Sequence, residues 1–335
     1  MRVTFLLDDE QVPEDDPGFD LPYDAASPQM EHHVIHATRG LGHDVRVFPL
    51  GADAHGTVTR IAAGRPDVVW NLVEHRRGDR RVAVHVPSLL ALYGLRCTGS
   101  SSAALALTCD KALATRLVGD LGLSVPEGFV VPLGTARAVG PMVFPMIVKP
   151  RYEDGSEGIS LRSIVRTKEA LLERARFIHQ SLAQDALCQR YIDGRELSVG
   201  VLGNARPEAL PAREMVFGLR HAGGPAIATE LAKASKTYSE KWRITYERAA
   251  LGSELARELA QFAVEVYRAL EITGYGRVDF RLDEAGRPYF LEANCNPDLR
   301  PRVFGVIAGW AGLGYGALLQ RILDLSMAGD GVSGT

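Results

Sequence analysis

The first hundred residues alternate short apolar runs with helix-period segments. Val3 to Leu7, Val45 to Leu50 and Val68 to Leu72 read as buried strands, and Gln29 to Leu41 and Val82 to Tyr93 as helices. Strands that alternate with helices predict a parallel sheet with helical crossovers. Asp8 to Pro28, rich in acid, Pro and Gly, reads as a long loop at the carboxyl end of the first strand, where open α/β sheets place ligands. Helices over 103–121 lead through Gly122 and Pro126 into a different block. There the pattern predicts strands at 128–132, 146–150, 160–165 and 186–192 and a helix at 168–183, a small α+β unit. Further on it predicts strands at 195–203, 209–217, 274–283 and 287–295 and helices at 253–270 and 314–327. The Gly/Ser-rich tail from Ala328 is expected to fray.

Composition adds limits. The chain has 335 residues, 46% hydrophobic and 24% charged, with a formal net charge of −3, enough chain for two or three domains. So small a charge argues against a nucleic-acid or membrane partner held by bulk electrostatics. The cluster Arg76, Arg77, Arg80, Arg81 reads as a solvated loop or helix start. No apolar stretch reaches the roughly 20 residues of a spanning helix, and the four cysteines (Cys97, Cys109, Cys188, Cys295) lack metal or CxxC spacing. Reduced thiols and a cytoplasmic location are the expectation. Lysine is scarce: Lys111, Lys149, Lys168, Lys233, Lys236 and Lys241 are the only six among 38 basic residues. A lysine in a motif-like setting is therefore more informative than usual, although compositional drift would also leave a few.

Gly276-Arg277-Val278-Asp279-Phe280 and Leu291-Glu292-Ala293-Asn294-Cys295-Asn296-Pro297 lie on two strand patterns joined by Asp283-Glu284-Ala285-Gly286. Side chains on one strand face recur every second residue, so a hairpin gathers Asp279, Glu292 and Asn294 as hard oxygen ligands, the set Mg²⁺ takes alongside phosphate oxygens. Arg277, on the same face, is placed to hold an oxygen that becomes negative during acyl or phosphoryl transfer. The competing reading is an exposed hairpin; Phe290 and Leu291 speak for burial, and a buried Asp–Glu pair needs a cation. Upstream, Phe144-Pro145-Met146-Ile147-Val148-Lys149-Pro150 puts an ammonium at a strand tip. The turn Asp154-Gly155-Ser156-Glu157-Gly158 then offers backbone N–H groups and a hydroxyl to an anion. In Cys188-Gln189-Arg190-Tyr191-Ile192-Asp193-Gly194-Arg195-Glu196, an adenine could stack on Tyr191 and Ile192 with Glu196 at the ribose, or the segment is an ordinary strand corner with a surface glutamate.

Together with Trp70-Asn71-Leu72-Val73-Glu74, Val86-Pro87-Ser88-Leu89-Leu90, Thr98-Gly99-Ser100, Thr108-Cys109-Asp110-Lys111 and Gly122-Leu123-Ser124-Val125-Pro126, these segments resemble the ATP-grasp superfamily in its D-alanine–D-alanine ligase-like branch. The resemblance implies a three-domain fold of α/β and α+β type: an N-terminal parallel α/β domain over 1–100, a small central α+β lid domain over 101–187 and a C-terminal α+β domain over 188–328, with a flexible tail over 329–335. ATP would be gripped between the last two domains. Lys111 and Lys149 would meet its phosphates with Ser156 in the phosphate loop; Gln189, Tyr191 and Ile192 would form the adenine hinge and Glu196 would bind ribose. Lys241, in Tyr238-Ser239-Glu240-Lys241-Trp242, resembles the loop lysine that closes over the γ-phosphate. Asp279, Glu292 and Asn294 would hold two Mg²⁺ ions, with Mn²⁺ as an alternative, and Arg277 would stabilise a tetrahedral intermediate. Many relatives are dimers, so a homodimer is an expectation of the same kind.

The departures fall at the D-alanine positions. The turn after the first strand reads Asp8-Asp9-Glu10, a serine is Gly155, a tyrosine is Trp242, the hinge glutamate is Gln189, and the acceptor run continues as Asp298, Leu299, Arg300, Pro301, Arg302. The implied activity is an ATP-dependent ligase that joins a carboxylate to an amine through an acyl phosphate, with an amino acid or small peptide other than D-alanine as substrate. D-alanine–D-alanine ligation itself, a carboxylase-like or phosphorylating enzyme, and a silent ATP-binding module are the alternatives. Arg300 and Arg302 are candidates for a substrate carboxylate or are solvated, Asp298 is a candidate for an ammonium, and Glu31, Glu74 and Asp79 are candidates for an amine.

Overall fold

The computed structural model describes residues 1–76, 78–135, 137–219 and 227–328. Arg77, the 220–226 part of the expected lid loop and the 329–335 tail lie outside the described residues.

Strand β1 (Arg2–Asp8) is apolar on both faces, the signature of a strand covered from above and below. Helix α1 (Met30–Gly40) returns the chain to β2 (Asp44–Leu50), and α2 (Ala54–Ala63) to β3 (Val68–Asn71). The strands form a parallel sheet in the order β2-β1-β3, as the alternation predicted. The expected helix over 82–93 is split into α3 (Arg80–Ala83) and α4 (Val86–Leu92), and α3 is capped by Asp79, whose carboxylate accepts from the Arg81 N–H. Helices α5 (Ser102–Cys109) and α6 (Lys111–Asp120) meet at Asp110, whose carboxylate caps α6.

A four-stranded antiparallel sheet follows: β4 (Gly128–Val131), β5 (Met146–Pro150), β6 (Ile164–Val165) and β7 (Ala186–Arg190), in the order β4-β7-β5-β6, with α7 (Lys168–Leu182) on one face. The strand expected over 160–165 is mostly a 3₁₀ turn, Leu161–Ser163, because Ser160 and Ser163 cap each other, and only its last two residues pair. The third sheet has six strands: β8 (Arg195–Leu202), β9 (Glu208–Ala209), β10 (Arg213–Phe217), β11 (Ile244–Arg248), β12 (Tyr275–Leu282) and β13 (Pro288–Cys295). The single strand expected over 209–217 is two, broken where Pro211 has no N–H to give to a ladder. Between β10 and β11 stand α8 (Glu230–Ala234) and α9 (Lys236–Lys241) where a loop was expected. Helix α10 (Ser253–Ala269) covers one face of this sheet, with Phe262 edge-on to Phe280 at 5.1 Å.

The last helices, α11 (Val306–Trp310) and α12 (Tyr315–Ala328), return to the first sheet. Leu318, Leu319, Ile322 and Leu323 of α12 share one buried core with Val3, Phe5 and Trp70. Trp70 stacks on Phe5 at 5.3 Å. The segment between α4 and α5, which runs beside β3 at Cys97, is fastened to the end of β13: Asn296 Oδ1 accepts from Ser100 N at 3.1 Å. Gly99 has φ +82, and a Cβ there would fall 2.0 Å from Asn296 Oδ1, so the junction requires glycine. The segment beside the first sheet and the end of the β12–β13 hairpin are thereby held together.

Because α12 is part of the first core, Leu319→Ala is expected to cost about 2–5 kcal/mol in denaturant unfolding. The same change at Leu92, 84% exposed on α4, is expected within about 0.5 kcal/mol of wild type. Equal effects would place α12 outside the core.

Candidate active site

Pairing of β12 with β13 sets Asp279 opposite Glu292 and Arg277 opposite Asn294, with a bulge after Asp279. The alternation of strand faces brings together the four residues read from the sequence. The Arg277 guanidinium donates to both Asp279 oxygens, at 2.7 and 2.8 Å, and Asn294 Nδ2 donates to Asp279 Oδ2 at 3.2 Å. Burial pushes the Asp279 carboxyl above its ordinary value, and the Glu292 charge adds to the push against Arg277. Glu292 faces the same burial, but Lys111, Lys233 and Lys149 outweigh it and hold its carboxyl low. Lys111 Nζ is 3.4 Å from Glu292. Two facing carboxylates and an amide form an oxygen donor set that suits a hard divalent cation, with Arg277 engaging Asp279 in this structure.

Beside this hairpin lies a cleft of about 670 Å³ between the second and third sheets. Lys149, at the tip of β5, enters it 6% exposed; burial pushes its ammonium down to about 8, with Glu292 opposing. The loop Asp154–Gly158 follows, with Gly155, Ser156 and Gly158 at φ +60, +68 and +66, and Ser156 lines the cleft. Gln189, Tyr191 and Ile192 line the opposite wall. The Gln189 side chain is anchored, its Nε2 donating to Thr115 Oγ1 at 3.2 Å. Glu196 Oε2 is held by Arg281 at 3.0 Å and accepts from Ala228 N at 3.3 Å.

The structure adds Lys233 and Arg281 to the site. Lys233, on α8, lines the cleft although its side chain is solvent-exposed like that of Lys241, and Glu292, Asp154 and Asp279 raise its affinity for a proton against the desolvation of the site. Lys241, expected in that place, is exposed on α9 with its ammonium 5.1 Å from the Trp242 ring, and Trp242 packs toward Tyr238 instead of the cleft. Glu230 pins α8 to the phosphate loop: its N–H donates to Ile159 O at 3.1 Å and its Oε2 accepts from Gly158 N at 3.2 Å. Lysine scarcity already marked Lys233, and strand parity places Arg281 on the face of Arg277 and Asp279; what the sequence hid was that residues 230–241 are two helices with different outlooks.

Next to this cleft a second cavity, about 580 Å³ of empty space open to solvent, is lined by Glu74, Arg80, Lys111, Asp154 and Asn294. Arg80 pairs with Asp154 at 3.3 Å, tying α3 to the phosphate loop. Of the other arginines in that cluster, Arg76 bridges Asp8 and Asp9 at 3.4 and 2.8 Å, and Arg81 pairs with Asp79 at 2.8 Å. Asp79 is thereby a helix cap and not an amine site. Glu31, at the start of α1, is 7% exposed and accepts from Gln11 Nε2 at 3.0 Å. Arg300 is spent on Asp298 through bonds as short as 2.8 Å at Nε and on Pro28 O at 3.1 Å, while Arg302 is exposed. Neither arginine is turned to hold a substrate carboxylate, and Gly155 stands in open space.

Burial pushes the Glu74 carboxyl up to about 7, with Arg80 opposing and Asp154, Glu31 and Asp298 adding. A carboxyl raised in the folded state keeps its proton there while the unfolded chain, at the ordinary 4.5, releases it. Its contribution to stability is full below that value and is lost as pH rises through 7. Glu74→Gln is therefore expected to narrow the stability difference between about pH 5 and about pH 8 by up to about 3 kcal/mol. Parallel denaturation curves for the two proteins would contradict this environment.

Comparison with known proteins agrees with this architecture. Residues 134–324 match the family model for the D-ala D-ala ligase C-terminus. The D-alanine–D-alanine ligase of Bordetella petrii is 32% identical over 296 residues, 85% of each chain, and the uncharacterized protein y4sG of Sinorhizobium fredii is 36% identical over 271 residues, 80% of this chain and 77% of its own. The crystal structure of D-alanine–D-alanine ligase from Bacillus anthracis complexed with ATP superposes with a TM-score of 0.70 at 17% identity, over 98% of both chains, a likeness of fold. The chain belongs to the D-alanine–D-alanine ligase-like family of ATP-grasp enzymes, ATP-dependent ligases that form carbon–nitrogen bonds.

Proposed function

We propose that the enzyme activates a carboxylate other than that of D-alanine as an acyl phosphate and transfers it to an amine, releasing ADP and phosphate. The observation that carries this reading is the meeting of two cavities at one hairpin: Glu292 and Asp279 line the cleft with Lys149 and Ser156, while Asn294 lines the cavity with Glu74. Nucleotide and carboxylate can thus reach the same group of side chains from neighbouring cavities. In this reading the chain forms three domains over 1–100, 101–187 and 188–328, with ATP between the second and third. Gln189, Tyr191 and Ile192 flank adenine, Glu196 takes ribose hydroxyls, and Lys111, Lys149, Lys233 and Ser156 take phosphate oxygens. Asp279, Glu292 and Asn294 hold Mg²⁺, which when bound supplies charge neutralisation on the transferring phosphoryl group.

The substrate carboxylate oxygen attacks the γ-phosphorus and ADP leaves with the bond electrons, while Lys149 and Lys233 neutralise the spreading charge. The amine nitrogen then attacks the acyl carbon, Arg277 holds the oxygen that becomes negative, and phosphate leaves as the nitrogen loses a proton. The acyl phosphate is hydrolysable, so exclusion of water matters; the Glu230–Gly158 and Arg80–Asp154 contacts close the phosphate loop from both sides. Against D-alanine stand the Asp298–Arg300 pair in the acceptor run and Asp8, engaged by Arg76 after β1.

ADP and phosphate release across a panel of carboxylates and amines, with D-alanine alone included, tests this reading: turnover with another pair and silence with D-alanine support it, and efficient turnover of D-alanine alone overturns the substrate reading. Arg277→Ala is expected to lower kcat by about 10²–10³-fold with a smaller change in ATP affinity. Lys233→Ala is expected to weaken phosphoryl transfer by at least about tenfold, while Lys241→Ala stays near wild type. The reverse order in steady-state kinetics would return the phosphate-contacting role to Lys241.

A further inference from the structure

The second cavity holds more negative charge than the reaction itself requires. Its neighbouring cations are already engaged: Lys111 with Glu292 at 3.4 Å, Arg80 with Asp154 at 3.3 Å, Arg76 with Asp8 and Asp9, and Arg300 with Asp298. Glu74, which lines the cavity, has no ion pair or hydrogen bond among the described residues. Glu31, more than nine-tenths buried, has the neutral amide of Gln11 and no cation within ion-pairing distance among the described residues. The two carboxylates and Asp298 feel one another's charge, and burial raises both Glu31 and Glu74. Desolvated carboxylates without a counter-ion are costly, and a cation brought by a ligand removes that cost. The α-ammonium of an ordinary amino acid satisfies one of them and leaves the other.

A metal is not the answer here. Asp8, Glu10 and His75 bring ligand atoms within 4.8 Å of one another, but the Arg76 guanidinium already sits on Asp8, and neither Glu31 nor Glu74 belongs to that group. The walls of the cavity also favour an organic cation: Val73, Ala83, Val84 and Leu105 give apolar surface on which a methylene chain can lie while its ammonium reaches Glu74.

We propose that the carboxylate substrate carries a second cationic nitrogen, as in a diamino acid or a small peptide with a basic side chain, and that Glu74 and Glu31 select it. This inference rests on the ligase reading above. Glu74 is a specificity-determining residue that the ligand neutralises, and the raised Glu74 carboxyl ionises as the ammonium arrives, so preference for the basic substrate strengthens as pH rises through 7. Arg80 and Asp154 face Glu74 from α3 and the phosphate loop, Glu31 from α1, and Asp298 and Arg300 from the segment after β13.

The test uses hydroxylamine as a universal acceptor, so that activation of the carboxylate is read as hydroxamate and ADP whatever the natural amine is. Pairs of equal side-chain length are compared in both enantiomers: lysine with 2-aminoheptanoate, ornithine with norleucine, and 2,4-diaminobutyrate with norvaline. The expected result is a kcat/KM about 10- to 100-fold higher for the cationic member, carried mainly by KM. Of Glu74→Gln and Glu31→Gln, made separately, the variant that loses the carboxylate for the side-chain ammonium is expected to bring that ratio toward one, and the variant that loses the carboxylate for the α-ammonium to raise KM for both members alike; a ratio unchanged in both variants overturns the inference. Hydroxamate from neutral acids with no preference for basic ones overturns this inference and leaves the ligase intact. Silence with every carboxylate, with ATP still bound in a titration, overturns the ligase reading and this inference with it.

Discussion

Asp279 and Glu292 face each other across paired strands in a protein interior, and two carboxylates so placed must be met by positive charge. Much of the site follows from that constraint. Arg277 grips Asp279 from the same strand, Lys111 reaches Glu292 from the start of α6, and Lys149 and Lys233 extend toward it from β5 and α8. Cations from three separate parts of the chain converge on one hairpin because the hairpin is acidic. In the proposed reading the same side chains would meet a nucleotide's phosphates and a divalent cation.

The second consequence concerns how the parts stay aligned. The connection between α4 and α5 is locked to the β12–β13 hairpin by Asn296 and by the glycine it demands at 99, and α12 folds back to complete the core under β1. The phosphate loop, flexible in composition, is held by Arg80 on one side and Glu230 on the other. Paired strands therefore carry the side chains proposed for metal and adenine, and the loop proposed for the phosphates is held by a few ion pairs and hydrogen bonds.

Strand parity made the hairpin readable from sequence: Arg277, Asp279, Glu292 and Asn294 needed only a period of two and a turn at Asp283–Gly286. The parallel first sheet was equally legible, since the apolar runs of β1 and β3 admit no exposed face, while β2, at the edge, exposes Asp44, Arg46 and Pro49. Three things were not. Mutual capping by Ser160 and Ser163 beats the local strand pattern at 160–165, a choice decided by side-chain hydrogen bonds that periodicity does not see. Residues 230–241 look like a polar loop, so Lys241 beside an aromatic residue drew the phosphate-contacting role that the two-helix geometry turns toward Lys233. Arg300 and Arg302 read as substrate ligands because pattern gives residue type and not partner; in three dimensions Arg300 is consumed by Asp298 two residues away, and Arg302 faces out. Sequence locates the charge, and packing decides which charges remain for a ligand.

The central claim is that a carboxylate oxygen of the substrate becomes bonded to the γ-phosphorus at this hairpin. The most direct measurement is transfer of ¹⁸O from a doubly labelled substrate carboxylate to the phosphate released during amide formation. The account predicts that each phosphate released carries one labelled oxygen. Unlabelled phosphate accompanied by amide formation, or label retained in a stable phosphorylated product, would contradict it.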